Sequence, residues 1–481
     1  MISLSLVVGQ AGTGKTTWLM EKIREKAPGL ISSEHQRLLA ITRMHGARRR
    51  VEAKLRECAP GILCSVSTID GFALSILNRW RTVLGWSKPI HSVSTVADFG
   101  ETLFAIEADF ERVQAAATRL LQYTTVKRII SATYPLIAVD EFQDCHGSLL
   151  EFIKALSSCS TLLLAADEFQ LLDTSVSGCP AVEWAKDLRI DQCAEIAELT
   201  VCRRTSAHGI LEAARCLRDN IQATARTVPV VCCPREAPAA WKIIDSLVFN
   251  KNRWIGTTAL ICPSHDPFIQ KVLNSCDAQL QKKNCKPIQW NVEYTSDNEQ
   301  KRIRTGLGIT DETGKDNDEW VLPQSMLDPI SAHVVNRLQR FVRLKGLKAI
   351  TRTLLEHHVE IVVHEKRSYR NHNALRTVTT VHGAKNREFD NVFVLWTYKL
   401  APDKDWQRRL LYNAITRAKK NCMILVLGDL ARAQNDPVLR LLGPAQPAFS
   451  NRVKPKTSTS TKKMANVRVS VTTEQKRDAK D

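Results

Sequence analysis

Near the start of the chain, Gly9, Gly14, Lys15 and Thr16 fall at the spacing G-x-x-x-x-G-K-[ST], inside "LSLVVGQAGTGKTTWLM". An apolar run of β type enters the glycine-rich turn and a helical pattern leaves it, which is the context such a turn needs to cradle phosphate. Backbone N–H groups of Gly9, Gln10, Ala11, Gly12, Thr13, Gly14, Lys15, Thr16 and Thr17 are expected to wrap an anion, with the helix N-terminus adding its positive end. Lys15 is placed for the β and γ phosphates of a nucleotide and Thr16 for magnesium. Further along, "LIAVDEFQD" ends an apolar strand in Asp140 and Glu141. Asp140 suits magnesium held through water, and Glu141 suits a base that orients and deprotonates an attacking water. A carboxylate base beside the metal acid favours hydrolysis by water over transfer to a small acceptor. ATP and Mg2+ are therefore the expected substrate and metal.

These residues must be held at strand ends. Short apolar runs ("LSLVVG", "RLLAITR", "GILCSVST", "PLIAVDE", "TLLLAADE") alternate with amphipathic helical stretches through the first 200 or so residues. That alternation predicts a parallel sheet with helices on both faces. A second α/β pattern runs from "TTALICPS" through "TVTTVHG" and "NVFVLW" to "CMILVLGD". The expected organisation is a first α/β domain over 1–205 with an insertion at about 80–130, and a second over 206–445 with an insertion at about 296–370. The tail, 446–481, is polar and basic, has too little apolar content to hold a core, and is expected to be disordered.

Composition narrows the partners. The chain of 481 residues is 44% hydrophobic and 25% charged, with a formal net charge of +18. Clustered Lys and Arg gain affinity by releasing counterions from a phosphate backbone, so nucleic acid ranks ahead of a membrane surface. The 14 cysteines show no C-x-x-C pair and no regular spacing, which suits free thiols in a reducing compartment. No run reaches the roughly 18 apolar residues of a membrane span, and the start lacks a basic leader; a cytoplasmic location is expected.

The series "GQAGTGKTT", "LLAITRMHGARRRVEAKL", "CSVSTIDGFALSIL", "LIAVDEFQD", "LLLAADEFQLLD", "LTVCRRTS", "RTVTTVHGAKNREFDNVFVL" and "LLYNAITRAKKNCMILV" resembles, in order, the motifs of UvrD/Rep-type superfamily 1 DNA helicases. The resemblance implies two RecA-like P-loop NTPase domains with small insertions, ATP bound between them, and single-stranded DNA lying across both. It implies movement along the strand in the 3′ to 5′ direction. Arg204 and Arg417 match arginines that reach the γ-phosphate, with neighbouring Arg203 as the alternative to Arg204. Gln170 matches a sensor of nucleotide state and Glu388 an acid near the ribose. Thr42, Arg43, Ser67, Thr68, Thr380 and His382 fall where relatives touch the strand.

Several positions depart from that pattern. The segment after Gln170 continues as Leu171, Leu172 and Asp173 instead of base-stacking aromatics, which leaves Phe72 and Trp184 as candidate platforms. Asp70 stands for a usual His and Asn386 for a usual Gly. No adenine-reading glutamine segment lies upstream, so weak base discrimination is expected. The run Arg48, Arg49 and Arg50 reads as a solvated helix face. Short insertions leave little room for accessory subdomains and suggest a compact translocase of single strands or tailed duplexes; a nuclease or other protein partner is what the family resemblance alone implies. Two rival readings stay open: an ATP-driven switch in a complex, and a superfamily 1 RNA helicase.

Overall fold

The computed structural model describes residues 3–43, 45–92, 100–101, 106–190, 194–264, 267–293, 296–309, 328–347, 350–352, 354–356, 358–359, 362–363, 374–398 and 400–449. Its first lobe is built on β1 (Leu4–Gly9), β2 (Leu38–Thr42), β3 (Cys64–Thr68), β7 (Leu136–Val139), β8 (Thr161–Ala166) and β9 (Ala194–Leu199). They pair in the order β3-β2-β7-β8-β1-β9, every pair parallel. Side chains alternate across a strand, so Leu6 and Val7 enter different cores. On one face, α1 (Lys15–Leu30) and α2 (His45–Cys58) bury Leu19, Ile23, Val51 and Leu55. On the other lie α3 (Ile69–Trp80), α4 (Phe110–Leu120), α5 (Thr124–Thr133), α6 (Gly147–Ser157) and α7 (Pro180–Ile190). Two helix-covered faces are why these strands read as continuous apolar runs.

The expected small insertion at about 80–130 packs on the first lobe. The helices α4 and α5 place Val113, Ala117, Leu120, Val126 and Ile130 in the core of the first lobe. The small sheet of β4 (Ile90–Ser92), β5 (Gly100–Glu101) and β6 (Ile106–Ala108) adds Ile90, Ile106 and Ala108 to that same core. The long helical pattern there was a sheet-covering layer with a strongly apolar face, which sequence alone does not distinguish from a detached helix.

The second lobe carries β10 (Val230–Cys233), β11 (Thr258–Cys262), β12 (Asn291–Val292), β13 (Arg376–Thr380), β14 (Phe389–Trp396), β15 (Ala418–Leu427) and β16 (Gln446–Pro447). The order is β12-β13-β11-β14-β15-β10-β16, again parallel throughout. Its faces are covered by α8 (His208–Asp219) and α13 (Lys404–Ile415) on one side, and by α9 (Glu236–Ile244) and α10 (Pro267–Gln281) on the other. Between β12 and β13 the chain forms α11 (Ser296–Gly306) and α12 (Pro329–Lys345). These build a separate small core from Ile303, Leu307, Val334, Leu338, Leu355 and Val359. Residues 310–327, 348–349, 353, 357, 360–361 and 364–370 of the expected 296–370 insertion, and residues 450–481 of the expected tail, lie outside the described residues, whereas Gln446–Pro447 of that tail pair with β10 as β16.

Two features position the site. Ala11 and Leu172 of the first lobe pack into the core of the second, so the lobes share buried surface beside the phosphate loop. Residues 381–388 then cross from the carboxyl end of β13 to the amino end of β14 as a turn with no regular helix, along the inter-lobe face.

Candidate functional site

The glycine-rich turn joins β1 to α1, and its backbone is one that only glycine adopts comfortably. Gly12 has φ +80, and a Cβ there would meet the Arg204 Cβ at 2.6 Å and the Cys202 Sγ at 2.9 Å. A Cβ on Gly9 would lie 2.7 Å from both the Leu199 carbonyl and the Thr13 hydroxyl. Larger side chains would push the neighbouring loop off the cradle. Thr13 Oγ1 donates to the Gln10 carbonyl at 2.9 Å, tightening the turn. Lys15 Nζ curls back to donate to the carbonyls of Gly9 and Gln10, at 2.9 Å each. Thr17 faces outward at the first turn of α1.

A cavity of about 630 Å³ opens over this turn. Among the expected residues, Gly12, Gly14, Lys15, Thr16, Thr17, Asp140, Glu141, Gln170, Arg204, Glu388 and Arg417 line it. Gly9, Gln10, Ala11 and Thr13 support the loop from behind. Thr16 Oγ1 lies 3.3 Å from Asp140 Oδ2, which brings both expected metal ligands together. Burial, and then the adjacent Glu141 carboxylate, push the Asp140 carboxyl up to about 6. Two crowded carboxylates beside a hydroxyl fit a divalent cation, and Mg2+ held by Thr16 and Asp140 would supply charge neutralisation for phosphate oxygens.

Glu141 occupies the left-handed region at φ 60 and ψ 43, unusual for a non-glycine residue. Its Oε2 accepts from Gln143 Nε2 at 2.5 Å, and Gln143 Oε1 accepts from the Asp167 N–H at 3.0 Å. The base candidate is thus oriented by a fully buried amide. Asp167, also fully buried, accepts from Gln170 Nε2 at 2.8 Å, Arg218 Nη1 at 2.9 Å and the Tyr412 hydroxyl at 3.3 Å. That same Tyr412 oxygen accepts the Ala11 N–H at 2.9 Å, so a second-lobe side chain holds the phosphate loop.

Two arginines complete the cavity, Arg204 from the segment after β9 that lies against Gly12 and Arg417 from the second lobe. Buried Arg417 donates from Nη2 to Gln170 Oε1 at 3.1 Å and from Nε to the Asn413 carbonyl at 3.0 Å. Burial, and then nearby Arg204, lower its pKa to about 10, so it stays charged at neutral pH. Arg204 donates to Glu388 Oε1 at 2.9 Å and to the Thr416 carbonyl at 2.9 Å. Burial would raise the Glu388 carboxyl, but Arg204 and Lys419 outweigh it and hold it at about 2. Arg203 also lines the cavity, so the geometry brings both alternatives of that pair to the same place.

The expected strand-contact residues sit on the carboxyl edges of the two sheets, where open α/β folds present ligand sites. Thr42 and Thr68 are cross-strand neighbours at the ends of β2 and β3, followed by half-buried Arg43 and preceded by half-buried Ser67, respectively. Thr68 accepts the Gly71 N–H at 3.0 Å, and Thr380 accepts the Gly383 N–H at 3.1 Å. Both hydroxyls therefore cap the segment that follows them. His382 is exposed on the crossing turn. Phe72 corrects its expectation. It is 5% exposed and packs edge-on against Tyr134 at 5.5 Å, within the first-lobe core, and so offers no face to a base. Trp184 is half-buried against Phe142 at 6.1 Å. Leu171 and Leu172 are core residues, and the Leu172 carbonyl accepts the Trp406 indole N–H at 2.9 Å.

Other cavity residues escaped the sequence reading. Arg50, read as part of a solvated face, lines the cavity together with Lys54, four residues on along α2. That spacing was the available signal, since i and i+4 share one helix face. Asn386 has φ 62 and also lines the cavity. Asn is the side chain that best tolerates this conformation, which accounts for its standing at a usual glycine. Asp70 accepts from Gln114 Nε2 at 2.6 Å, tying α3 to α4. Lys385 bridges the lobes to Asp144 at 2.9 Å. Among the described residues no helix is long and apolar enough to cross a membrane.

Two parallel, helix-flanked sheets, a phosphate loop, a strand-end acid pair and arginines gathered in one cleft define a P-loop NTPase of two RecA-like domains. Residues 2–175 match the AAA domain family, and residues 376–425 match the UvrD-like helicase C-terminal domain. The first match carries the phosphate loop, Asp140, Glu141 and Gln170, and the second carries Glu388 and Arg417, so these segments are similar to those of UvrD-like helicases. No curated protein matches the chain significantly. Among solved structures, an arterivirus nonstructural protein 10 helicase in complex with DNA is 12% identical, covering 91% of this chain and 63% of that one, with a TM-score of 0.33. The Pif1 helicase from Bacteroides, in complex with ADP-AlF3 and single-stranded DNA, is 14% identical over 88% of each chain, with a TM-score of 0.34. The chain thus spans less than two thirds of the arterivirus helicase.

Proposed function

We propose that the protein is an ATP-driven translocase on single-stranded DNA, hydrolysing ATP in the cavity between its lobes. The observation that carries this reading is the entry of Arg204 and Arg417 into the cavity that holds Lys15, Thr16, Asp140 and Glu141. Lys15 leaves the loop carbonyls to bind the β and γ phosphates, Glu141 takes a proton from the attacking water, and the arginines stabilise charge in the transition state. Because Arg417 and Glu388 belong to the second lobe, their contacts with nucleotide draw the lobes together, and product release lets them part. Gln170, held between Arg417 and Asp167, reports which state is occupied.

Alternate opening and closing moves a strand only when both lobes grip it. Thr42, Arg43, Ser67 and Thr68 on one sheet edge, and Thr380 and His382 on the other, are the assigned contacts, chiefly to the phosphate backbone. The 3′ to 5′ direction is assigned on the UvrD/Rep motif series alone. Work beside a nuclease or other protein, in repair, replication or phage defence, belongs to the same proposal. The test is displacement of streptavidin from biotinylated oligonucleotides. We expect ATP-dependent release from the 5′ end and little from the 3′ end. The opposite preference overturns the direction, and release from neither end favours a nucleotide switch without movement.

A further inference from the structure

In the crossing turn, consecutive side chains hold different parts of the molecule. Lys385 binds Asp144 of the first lobe at 2.9 Å, Asn386 lines the nucleotide cavity in a left-handed conformation, and Glu388 holds Arg204 at 2.9 Å. Arg387, between the two cavity residues, points the other way. It is 6% exposed and donates from Nη1 to Glu293 Oε2 at 2.6 Å, while Glu293 is itself 5% exposed. Glu293 follows β12 directly, its N–H donating to the Val378 carbonyl at 2.9 Å, and α11 begins three residues later. A buried ion pair therefore joins the rim of the nucleotide cavity to the root of the small inserted body, whose core is its own.

The pair has a second arrangement within reach. Arg387 Nη2 is buried with no hydrogen-bond partner among the described residues, whereas a guanidinium and a carboxylate at their best make two parallel bonds. The forked arrangement would bring Nη2 onto Glu293 Oε1, which among the described residues accepts only a long bond from Asn291 Nδ2 at 3.5 Å. Asn386 and Glu388 are covalently contiguous with Arg387, so nucleotide contacts that shift either residue must move it. Coupling of this kind needs an element with two discrete arrangements that both sites bias.

We infer that the Arg387–Glu293 ion pair transmits nucleotide occupancy to the inserted body of α11 and α12, changing how firmly that body is held. This inference rests on the nucleotide-site reading above. It assigns Arg387 and Glu293 as positioning residues that touch neither nucleotide nor strand. The experiment is hydrogen exchange of the full chain with and without the non-hydrolysable analogue AMP-PNP and Mg2+, with analogue binding measured separately. In the wild type, exchange in α11 and α12 should change on the order of fivefold or more when the analogue binds. In E293Q and in the paired R387M/E293M protein, the analogue should bind with wild-type affinity and the response in α11 and α12 should vanish. The paired apolar replacement guards against misfolding from a lone buried charge. A response that persists in both variants overturns the inference, as does a wild type that binds the analogue without any response. A wild type that fails to bind it overturns the nucleotide reading, and the inference with it.

Discussion

Glu141 reaches its place through an unusual backbone conformation, a buried amide partner and a neighbour, Asp140, whose carboxylate it crowds. Conformational cost concentrated on one side chain is expected where orientation matters more than stability. Glu141→Gln keeps the shape and the Gln143 contact region while removing the base. Nucleotide affinity should therefore stay near the wild-type value while turnover falls by roughly 10²–10⁴. Wild-type turnover in this variant would refute the assignment. Arg417 makes a different prediction because it meets Gln170 and lies buried between the lobes. Arg417→Ala should lower kcat on the order of a hundredfold or more, as loss of an arginine that stabilises transition-state charge does. Steady-state kinetics distinguish this from a binding defect, which would raise KM alone.

At the scale of elements, α3 and the crossing turn make opposite demands. Phe72 sits in α3 against Tyr134 and Phe152, so Phe72→Ala should cost about 3–5 kcal/mol in urea unfolding. An unchanged midpoint would return Phe72 to the list of surface candidates. The crossing turn is held partly by Glu388, whose pKa of about 2 lies below the roughly 4.3 of an unfolded glutamate. A depressed carboxyl contributes stability that is full above pH ~4.3 and is lost as pH falls toward ~2. Acid unfolding followed by tryptophan fluorescence should thus be less steep across that window in Glu388→Gln; identical profiles would contradict the pairing with Arg204. The same elements explain what could be read in advance. The phosphate loop and "DEFQD" are local, each a strand end with its chemistry within a few residues, and the structure brings them together where the sequence pointed. Phe72 misled because an apolar residue facing a core and one facing a base obey the same helical spacing. Tyr412 and Asp167 lay inside recognised segments, but their bond joins residues far apart in the chain, and no periodicity marks such a contact. Sequence texture alone does not separate α4 and α5 from an inserted body, because their polar outer faces hide how much they bury.

The whole molecule combines a cavity between two lobes, strand-contact candidates on both sheet edges, and a net charge of +18. Binding to single strands should weaken steeply with salt, with a log–log slope of about −0.7 for each phosphate contacted. One closing motion would read polymer and nucleotide together. Its most direct test is steady-state ATP hydrolysis by the full chain without polymer and with single-stranded DNA, duplex DNA or single-stranded RNA, with Glu141→Gln as the blank. A coupled motor should show a large rise with single-stranded DNA, smaller effects of duplex and RNA, and a flat blank. Hydrolysis above the blank that is indifferent to every polymer would contradict it.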